Sequence, residues 1–205
     1  MKAVCFCGSP KRKNSASAEL LKAISSIFAD QIEVEEVFLK GFEDFASVAD
    51  AEVWVLALPV YVDGLPAHVV AFLQEALQAG AARGKRIYAL VNCGFYEAFQ
   101  SRHAFRMLEI WCQKVGAAFC GGAGIGAGAA AVTLRKVPWD GPEKMPVQQA
   151  LEKVAHLILE GGRHPPYYTG FQISREAYQA SNEKGWRLGV RLSGLSPEHL
   201  SDRPE

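Results

Sequence analysis

Apolar runs of strand length constrain the fold of this 205-residue chain more than any other feature. Three such runs cover residues 3–7, 53–58 and 86–91, the last beginning with an arginine, and each is followed by a glycine, a proline or an asparagine. A strand that is apolar on both faces is buried on both faces, which is typical of parallel sheets covered by helices. The runs therefore predict an α/β fold with helices on both faces of a parallel sheet.

Segments with a helical pattern separate the predicted strands. Apolar residues recur at helical spacing in residues 15–28, 66–78, 100–115 and 146–159, and weaker strand patterns cover residues 32–38 and 117–125. The second strand alternates in polarity, so we expect it to be exposed on one face or near an edge. The regular alternation predicts a three-layer, doubly wound sheet of five parallel strands.

The last part of the chain has a different character. Residues 161–168 read as a linker, and residues 174–192 have the pattern of an amphipathic helix. A segment of about 40 residues cannot bury an independent core. We therefore expect one domain over residues 1–160, and a C-terminal helical extension over residues 161–205 that packs on that domain or on a second subunit.

Charge and composition exclude several classes of function. The chain has 22 basic and 22 acidic residues, so it has no basic footprint for nucleic acid. Its start runs directly into a strand without an apolar leader, and no apolar stretch is long enough to cross a membrane. Five cysteines lie in apolar segments without metal-ligand spacing. We expect a cytoplasmic protein with reduced core thiols, no metal site and small-molecule partners.

The loop after the first run carries the strongest chemical signal. Residues 8–17 place hydroxyl and amide side chains directly before a predicted helix, whose first backbone N–H groups have no intrahelical partners. A helix cap needs only one such side chain. The polar and basic residues of this loop are Ser9, Lys11, Arg12, Lys13, Asn14, Ser15 and Ser17. Neither the GxGxxG nor the GxxxxGK(S/T) pattern occurs, so the loop predicts a site for the phosphate of a mononucleotide such as FMN.

Two further loops follow central strands and suit a flat tricyclic ring, which needs an apolar wall and close backbone. After the run 53–58, Pro59 fixes a turn, Tyr61 offers ring area and Gly64 lets the chain bend. The alternative is an ordinary turn with Tyr61 on the surface. We expect these residues to contact the isoalloxazine ring of the flavin.

The loop after the run 86–91 follows the same logic. Gly94 permits close backbone approach, and the Asn92 side chain could donate to the edge of the ring where negative charge gathers on reduction. Phe95 and Tyr96 could stack on the ring or be core aromatics. The glycine-rich residues 121–128 either let a nicotinamide cofactor or a partner chain approach the pocket, or form a thin strand end under a helix.

These segments together resemble a known family. Residues 8–11 with Asn14 and Ser15, residues 59–67 and residues 92–95 are similar to the NADPH-dependent FMN reductases of flavodoxin-like fold, a group that includes iron–sulfur flavoproteins and quinone or azo reductases. The resemblance covers residues 1–160 and implies a homodimer. It implies phosphate contacts at Ser9, Lys11, Ser15, Ala16 and Ser17, and ring contacts at Pro59, Val60, Tyr61, Asn92, Gly94 and Phe95.

The chain departs from the family at two places. Ser15-Ala16-Ser17 stands where the family has Ser-Asn-Thr, and the cysteine motif of the iron–sulfur members is absent before Pro59. We therefore expect no iron–sulfur cluster.

The resemblance implies an FMN enzyme that takes hydride from NADH or NADPH and reduces a small acceptor such as a quinone, a nitro or azo compound, or free flavin. The flavin carries this chemistry, so no catalytic side chain is expected. One alternative is a flavodoxin-type electron carrier, although a carrier would benefit from a surface of one charge sign. The other is a binding or scaffold protein of the same fold without flavin, which Ala16 makes conceivable.

Overall fold

The computed structural model describes residues 1–11, 14–28 and 31–198. Two of the three loop cations, Arg12 and Lys13, lie outside the described residues. Residues Met1–Gln172 form one compact unit, and a second begins at Ile173. In chain order the elements are β1 (Lys2–Cys7), α1 (Ala16–Phe28), β2 (Glu33–Phe38), β3 (Val53–Pro59), α2 (Ala67–Gln78), β4 (Arg86–Asn92), α3 (Arg102–Val115), β5 (Ala118–Gly126), α4 (Ala130–Thr133), α5 (Met145–Glu160), β6 (Tyr167–Gly170) and α6 (Arg175–Leu192).

The described strands form one parallel sheet in the order β2-β1-β3-β4-β5-β6. This order extends the flavodoxin-like order 2-1-3-4-5 by one strand at the edge. The prediction of a parallel α/β sheet is confirmed, but the number of five strands is wrong. The sixth strand pairs with residues Ala123–Gly126 of β5. Its four residues, Tyr167–Gly170, follow two prolines and are too few to show a strand pattern.

The two faces of the sheet are covered by different helices. Alternate side chains of the central strands, among them Phe6 and Trp54, join Phe72 of α2 in one core, where the Phe6 ring lies 4.9 Å from Trp54 and 5.1 Å from Phe72. Helix α3 packs beside α2, whereas α1 and α5 pack together against the strands. Strand β2 is only partly buried, as its alternating polarity predicts. All five cysteines are buried and unpaired.

The glycine-rich run forms the interior of β5. A bulge between β4 and β5 shifts the register after Ile87, so that Tyr88 pairs with Gly121 and Ala89 with Gly122. Gly122 has φ +152°, and a Cβ at this position would overlap the backbone carbonyl of Ala89. The glycines therefore allow close packing inside the sheet, which agrees with the thin-strand interpretation of this segment.

The second unit contains α6, which starts where the sequence pattern places it. The hydroxyl oxygen of Ser174 accepts a hydrogen bond of 3.1 Å from the backbone N–H of Ala177, which caps the helix. Trp186, Leu188 and Leu192 are exposed on α6. The homodimer and the boundary at residue 160 stay predictions. Among the described residues, no helix is both long and apolar enough to cross a bilayer.

Candidate functional site

A cavity of about 390 Å³ lies beyond the carboxyl ends of β1, β3 and β4. The winding of the sheet reverses between β1 and β3, which is where open α/β sheets bind ligands. Eleven of the twelve candidate residues line this cavity, and Phe95 does not. The lining residues are Ser9, Lys11, Asn14, Ser15, Ala16, Ser17, Pro59, Val60, Tyr61, Asn92, Cys93, Gly94, Gly128, Ala129, Val132 and Thr133. The fold therefore brings the three predicted loops together.

The loop after β1 forms a nest of buried hydroxyl groups. Ser9, Ser15 and Ser17 are all at most 6% exposed. The hydroxyl oxygen of Ser9 accepts a hydrogen bond of 3.2 Å from the backbone N–H of Lys11, and that of Ser17 accepts one of 2.9 Å from the Asn92 side chain. Because both oxygens already accept a bond from the protein, their hydroxyl protons are the groups left to donate. This arrangement suits an anionic acceptor.

Ser15 begins α1. Its hydroxyl oxygen accepts a hydrogen bond of 3.2 Å from the backbone N–H of Ala18, as an N-cap side chain does. The N–H groups of Ala16 and Ser17 lie in the first helical turn, where no intrahelical acceptor exists. They carry the partial positive charge of the helix N-terminus. The nest therefore combines hydroxyl donors with the positive end of a 13-residue helix.

Asn92 lines the cavity, but its amide nitrogen is engaged within the protein. Its amide nitrogen donates to the hydroxyl oxygen of Ser17 at 2.9 Å and to the backbone carbonyl of Leu58 at 3.1 Å. Both N–H groups of the amide are thus used within the protein, and Oδ1 is the atom that remains for a ligand. Asn92 connects the end of β4 to the hydroxyl nest. A contact between Asn92 and a flavin ring stays a prediction.

The loop after β3 is a tight hairpin. The backbone groups of Tyr61 and Gly64 form two hydrogen bonds, of 3.0 and 3.1 Å. The bend lies at Val62 and Asp63, with φ of 49° and 59°, rather than at Gly64 as the sequence suggested. Positive φ at both central residues defines a type I′ turn, which asparagine and glycine favour. The turn presents Tyr61, about half exposed, at the rim of the cavity.

Val62 is expected to store backbone strain in this turn. A β-branched residue at positive φ is strongly disfavoured, and the Val62 side chain is fully exposed, so it gains no packing in return. Because asparagine tolerates positive φ, Val62→Asn should raise the free energy of unfolding by about 1 kcal/mol. The measurement is a urea unfolding curve. Asp63→Asn, at an already tolerant position, is the control, and a lower midpoint for Val62→Asn would contradict the prediction.

The loop after β4 is tied to the end of β5. The backbone N–H groups of Ala127 and Gly128 donate to the carbonyls of Phe95 and Cys93, at 2.6 and 2.8 Å. These bonds place Gly94 in the cavity wall and leave the Phe95 ring half exposed outside it. Burial raises the pKa of the Cys93 thiol, so at neutral pH this cysteine is a protonated wall residue rather than a nucleophile.

The sequence did not indicate the residues that form one wall of the cavity. Gly128, Ala129, Val132 and Thr133 belong to the turn and short helix that follow β5. Their only signal in the sequence was the end of the glycine-rich run. Arg135, just beyond them, donates a hydrogen bond to the side-chain oxygen of Asn14 and brings a cation to the loop after β1. The small side chains of the turn and short helix after β5 leave room for a ligand beside the hydroxyl nest.

His68 supports the site from α2. The Nε2 atom of His68 lies 2.8 Å from the backbone carbonyl oxygen of Gly8. A carbonyl only accepts, so Nε2 must carry the proton. His68 thus contacts the start of the loop after β1.

A larger cavity, of about 740 Å³, adjoins the site along α1 and β2 and shares Asn14 with it. It does not reach the loops after β3 and β4. The smaller cavity therefore has the lining that the sequence predicts for a flavin.

Comparisons with known proteins agree with this architecture. No family model and no curated protein matches the chain. Among solved structures, it is similar to a flavodoxin of Streptococcus pneumoniae TIGR4, with 15% identity and TM-score 0.56 over 78% of this chain and 98% of the other. An azoreductase from Bacillus anthracis strain Sterne gives 12% identity and TM-score 0.55 over 78% and 99%. Smu.1420 from Streptococcus mutans UA159 is 12% identical, with a TM-score of 0.57 over 76% of this chain and 98% of the other. The chain has a flavodoxin-like fold.

Proposed function

We propose that the protein binds FMN in the cavity beyond β1, β3 and β4 and transfers electrons from NADH or NADPH to a small acceptor. The observation that carries this proposal is the buried hydroxyl nest at the start of α1. Ser9 and Ser17 have hydroxyl protons left to donate, and the N–H groups of the first helical turn face the same loop. Such a donor set matches the terminal phosphate of FMN.

The residues of the site fit the rest of the cofactor as well. Pro59, Val60 and Gly94 supply an apolar wall with little bulk, and Tyr61 supplies an aromatic surface at the rim. When bound, FMN supplies hydride acceptance and electron donation. The N–H groups of Val60 and Tyr61 already donate to backbone carbonyls, so these residues would position the ring by packing. The half-exposed Tyr61 leaves the rim open to a second substrate.

The similar structures support a redox role without specifying the acceptor. One is described as a flavodoxin and another as an azoreductase. A dedicated electron carrier docks fastest with a surface of one charge sign, and this chain has 22 charges of each sign. We therefore favour an enzyme that reduces a small acceptor, such as a quinone, a nitro or azo compound, or free flavin.

The proposal is tested by loading the full chain with FMN, removing free flavin and adding NADH or NADPH without oxygen. We expect the flavin absorbance at about 450 nm to bleach, because reduced flavin loses this band. Free FMN at equal concentration is the control for uncatalysed reduction. If FMN is retained but only dithionite bleaches it, the protein is a carrier, and if no flavin is retained, the proposal fails. The acceptor follows from a screen of quinones, nitro and azo compounds, and free flavin.

A further inference from the structure

A second cavity lies at the far edge of the sheet and shares no lining residue with the proposed flavin site. It has a volume of about 510 Å³, within the range of small-molecule sites. Helix α3, the first half of β5, the segment 163–166 and the start of β6 form its walls. All of these elements belong to the unit Met1–Gln172. We name this cavity the edge groove.

The edge groove exists because β6 is short. Strand β6 pairs only with Ala123–Gly126, so the first half of β5 faces the segment 163–166 instead of a full strand. A hydrogen bond of 3.2 Å from the backbone N–H of His164 to the carbonyl of Cys120 holds this segment. A Cβ on Gly121 would overlap the carbonyl of His164. Backbone groups therefore form this side of the groove.

The floor of the edge groove is aromatic. The Phe105 ring lies 5.9 Å from Tyr168 at 86° and 6.3 Å from Phe119. Tyr168 is 41% exposed, although burial of the rest of its side chain raises its pKa. Pro165 and Pro166 add apolar surface beside these rings. Such a floor favours a planar ring, which can stack on or beside Tyr168.

The rim of the edge groove is cationic. Arg102, Arg106 and Arg163 line it with a single acidic residue, Glu109, although the whole chain has no net charge. Arg106 pairs with Glu109, and the Arg102 guanidinium lies 4.8 Å from the centre of the Phe99 ring. In the described parts of the chain, Arg163 forms no hydrogen bond or ion pair. The groove thus has two more positive than negative side chains and one uncommitted guanidinium.

We propose that the edge groove binds a planar aromatic anion, with its ring on Tyr168 and its phosphate or carboxylate on Arg163 and Arg106. A guanidinium binds either anion through two parallel hydrogen bonds. The aromatic rings alone would accept any planar ring, and the arginines alone would accept any anion. A ligand that has both a planar ring and a negative charge can contact both groups at once. This inference does not depend on FMN binding.

The test is calorimetric titration of the full chain with adenosine 5′-monophosphate and with naphthalene-2-carboxylate. Adenosine and inorganic phosphate are the partial probes, and each should bind at least about tenfold more weakly than the nucleotide.

Arg163→Gln and Arg106→Gln should each weaken binding of the anionic probes about tenfold or more. Tyr168→Leu should weaken the aromatic probes and leave inorganic phosphate unaffected. Arg83→Gln changes an exposed arginine outside the groove, is the matched control and should leave binding unchanged.

A charged variant of the other site separates the two cavities. Ser15→Asp repels anions from the loop after β1 and should leave binding at the edge groove intact. Circular dichroism and urea unfolding check that each variant is folded. The inference is overturned if neither anionic probe binds, if inorganic phosphate binds as tightly as the nucleotide, or if Arg163→Gln binds like the wild type. If Ser15→Asp also weakens binding of the nucleotide, the Arg163→Gln result decides whether the edge groove binds it.

Discussion

Gly122→Ala is expected to leave little or no folded protein. Gly122 is buried in β5 with φ +152°, and an added Cβ would overlap the backbone carbonyl of Ala89 in the neighbouring strand β4. Neither group is a flexible side chain that could move aside. Relief requires β4 and β5 to separate, which breaks sheet hydrogen bonds in a fully buried region. We expect a loss of more than about 4 kcal/mol, a large part of the ~5–15 kcal/mol that stabilises a typical domain.

The measurement is urea unfolding followed by circular dichroism, or the soluble yield if the variant does not fold. Gly170→Ala is the matched control, because Gly170 lies in the same sheet and a Cβ there would meet its nearest atom at an ordinary 3.6 Å. The control should change the free energy of unfolding by less than about 1 kcal/mol. If Gly122→Ala unfolds at the same urea concentration as Gly170→Ala, then the close approach of β4 and β5 is not as the structure shows it.

Ser15→Asp is expected to abolish tight binding of FMN while leaving the fold intact. Aspartate is as good an N-cap as serine and its charge favours the start of a helix, so the cap on Ala18 is kept. The same charge lies in the hydroxyl nest. Two unit charges about 4 Å apart repel by roughly 4 kcal/mol at a partly buried site. The dissociation constant of FMN should therefore rise at least about 100-fold.

The matched control is Ser15→Asn, which has nearly the shape of aspartate and also caps helices but carries no charge. Quenching of flavin fluorescence gives the affinities of both variants. Riboflavin, which lacks the phosphate, should bind both variants equally. Equal weakening of FMN by aspartate and asparagine would show that only size matters at this position, and unchanged binding by Ser15→Asp would show that the phosphate lies elsewhere.

Local patterns of sequence were enough to predict the central strands of the sheet. The runs that became β1, β3 and β4 are apolar at nearly every position, because strands buried between two layers of helices contact apolar groups on both faces. The loops that follow parallel strands must meet at one edge of the sheet. The residues from Ser9 to Gly94 that line the cavity, except Cys93, could therefore be assigned from the sequence.

The features that the sequence did not show depend on contacts between distant residues. Strand β6 has four residues and is stabilised as a strand only by pairing with β5. The hydrogen bond from Asn92 to Ser17 joins residues 75 positions apart, and no local pattern indicates it. The bend at Val62 contradicts local preference, since the hairpin bonds between Tyr61 and Gly64 impose it.

The sequence by itself therefore determined the layered α/β architecture and which loops meet. Local polarity indicates strands that are buried on two faces, and the alternation of strands with helices indicates that the strands are parallel. Only the tertiary structure decided which polar atoms remain free. Asn92 donates to Ser17, whereas the Arg163 guanidinium forms no hydrogen bond or ion pair with the described residues. Whether two groups form a hydrogen bond depends on their distance in the folded chain, and the spacing of residues along the sequence does not give that distance.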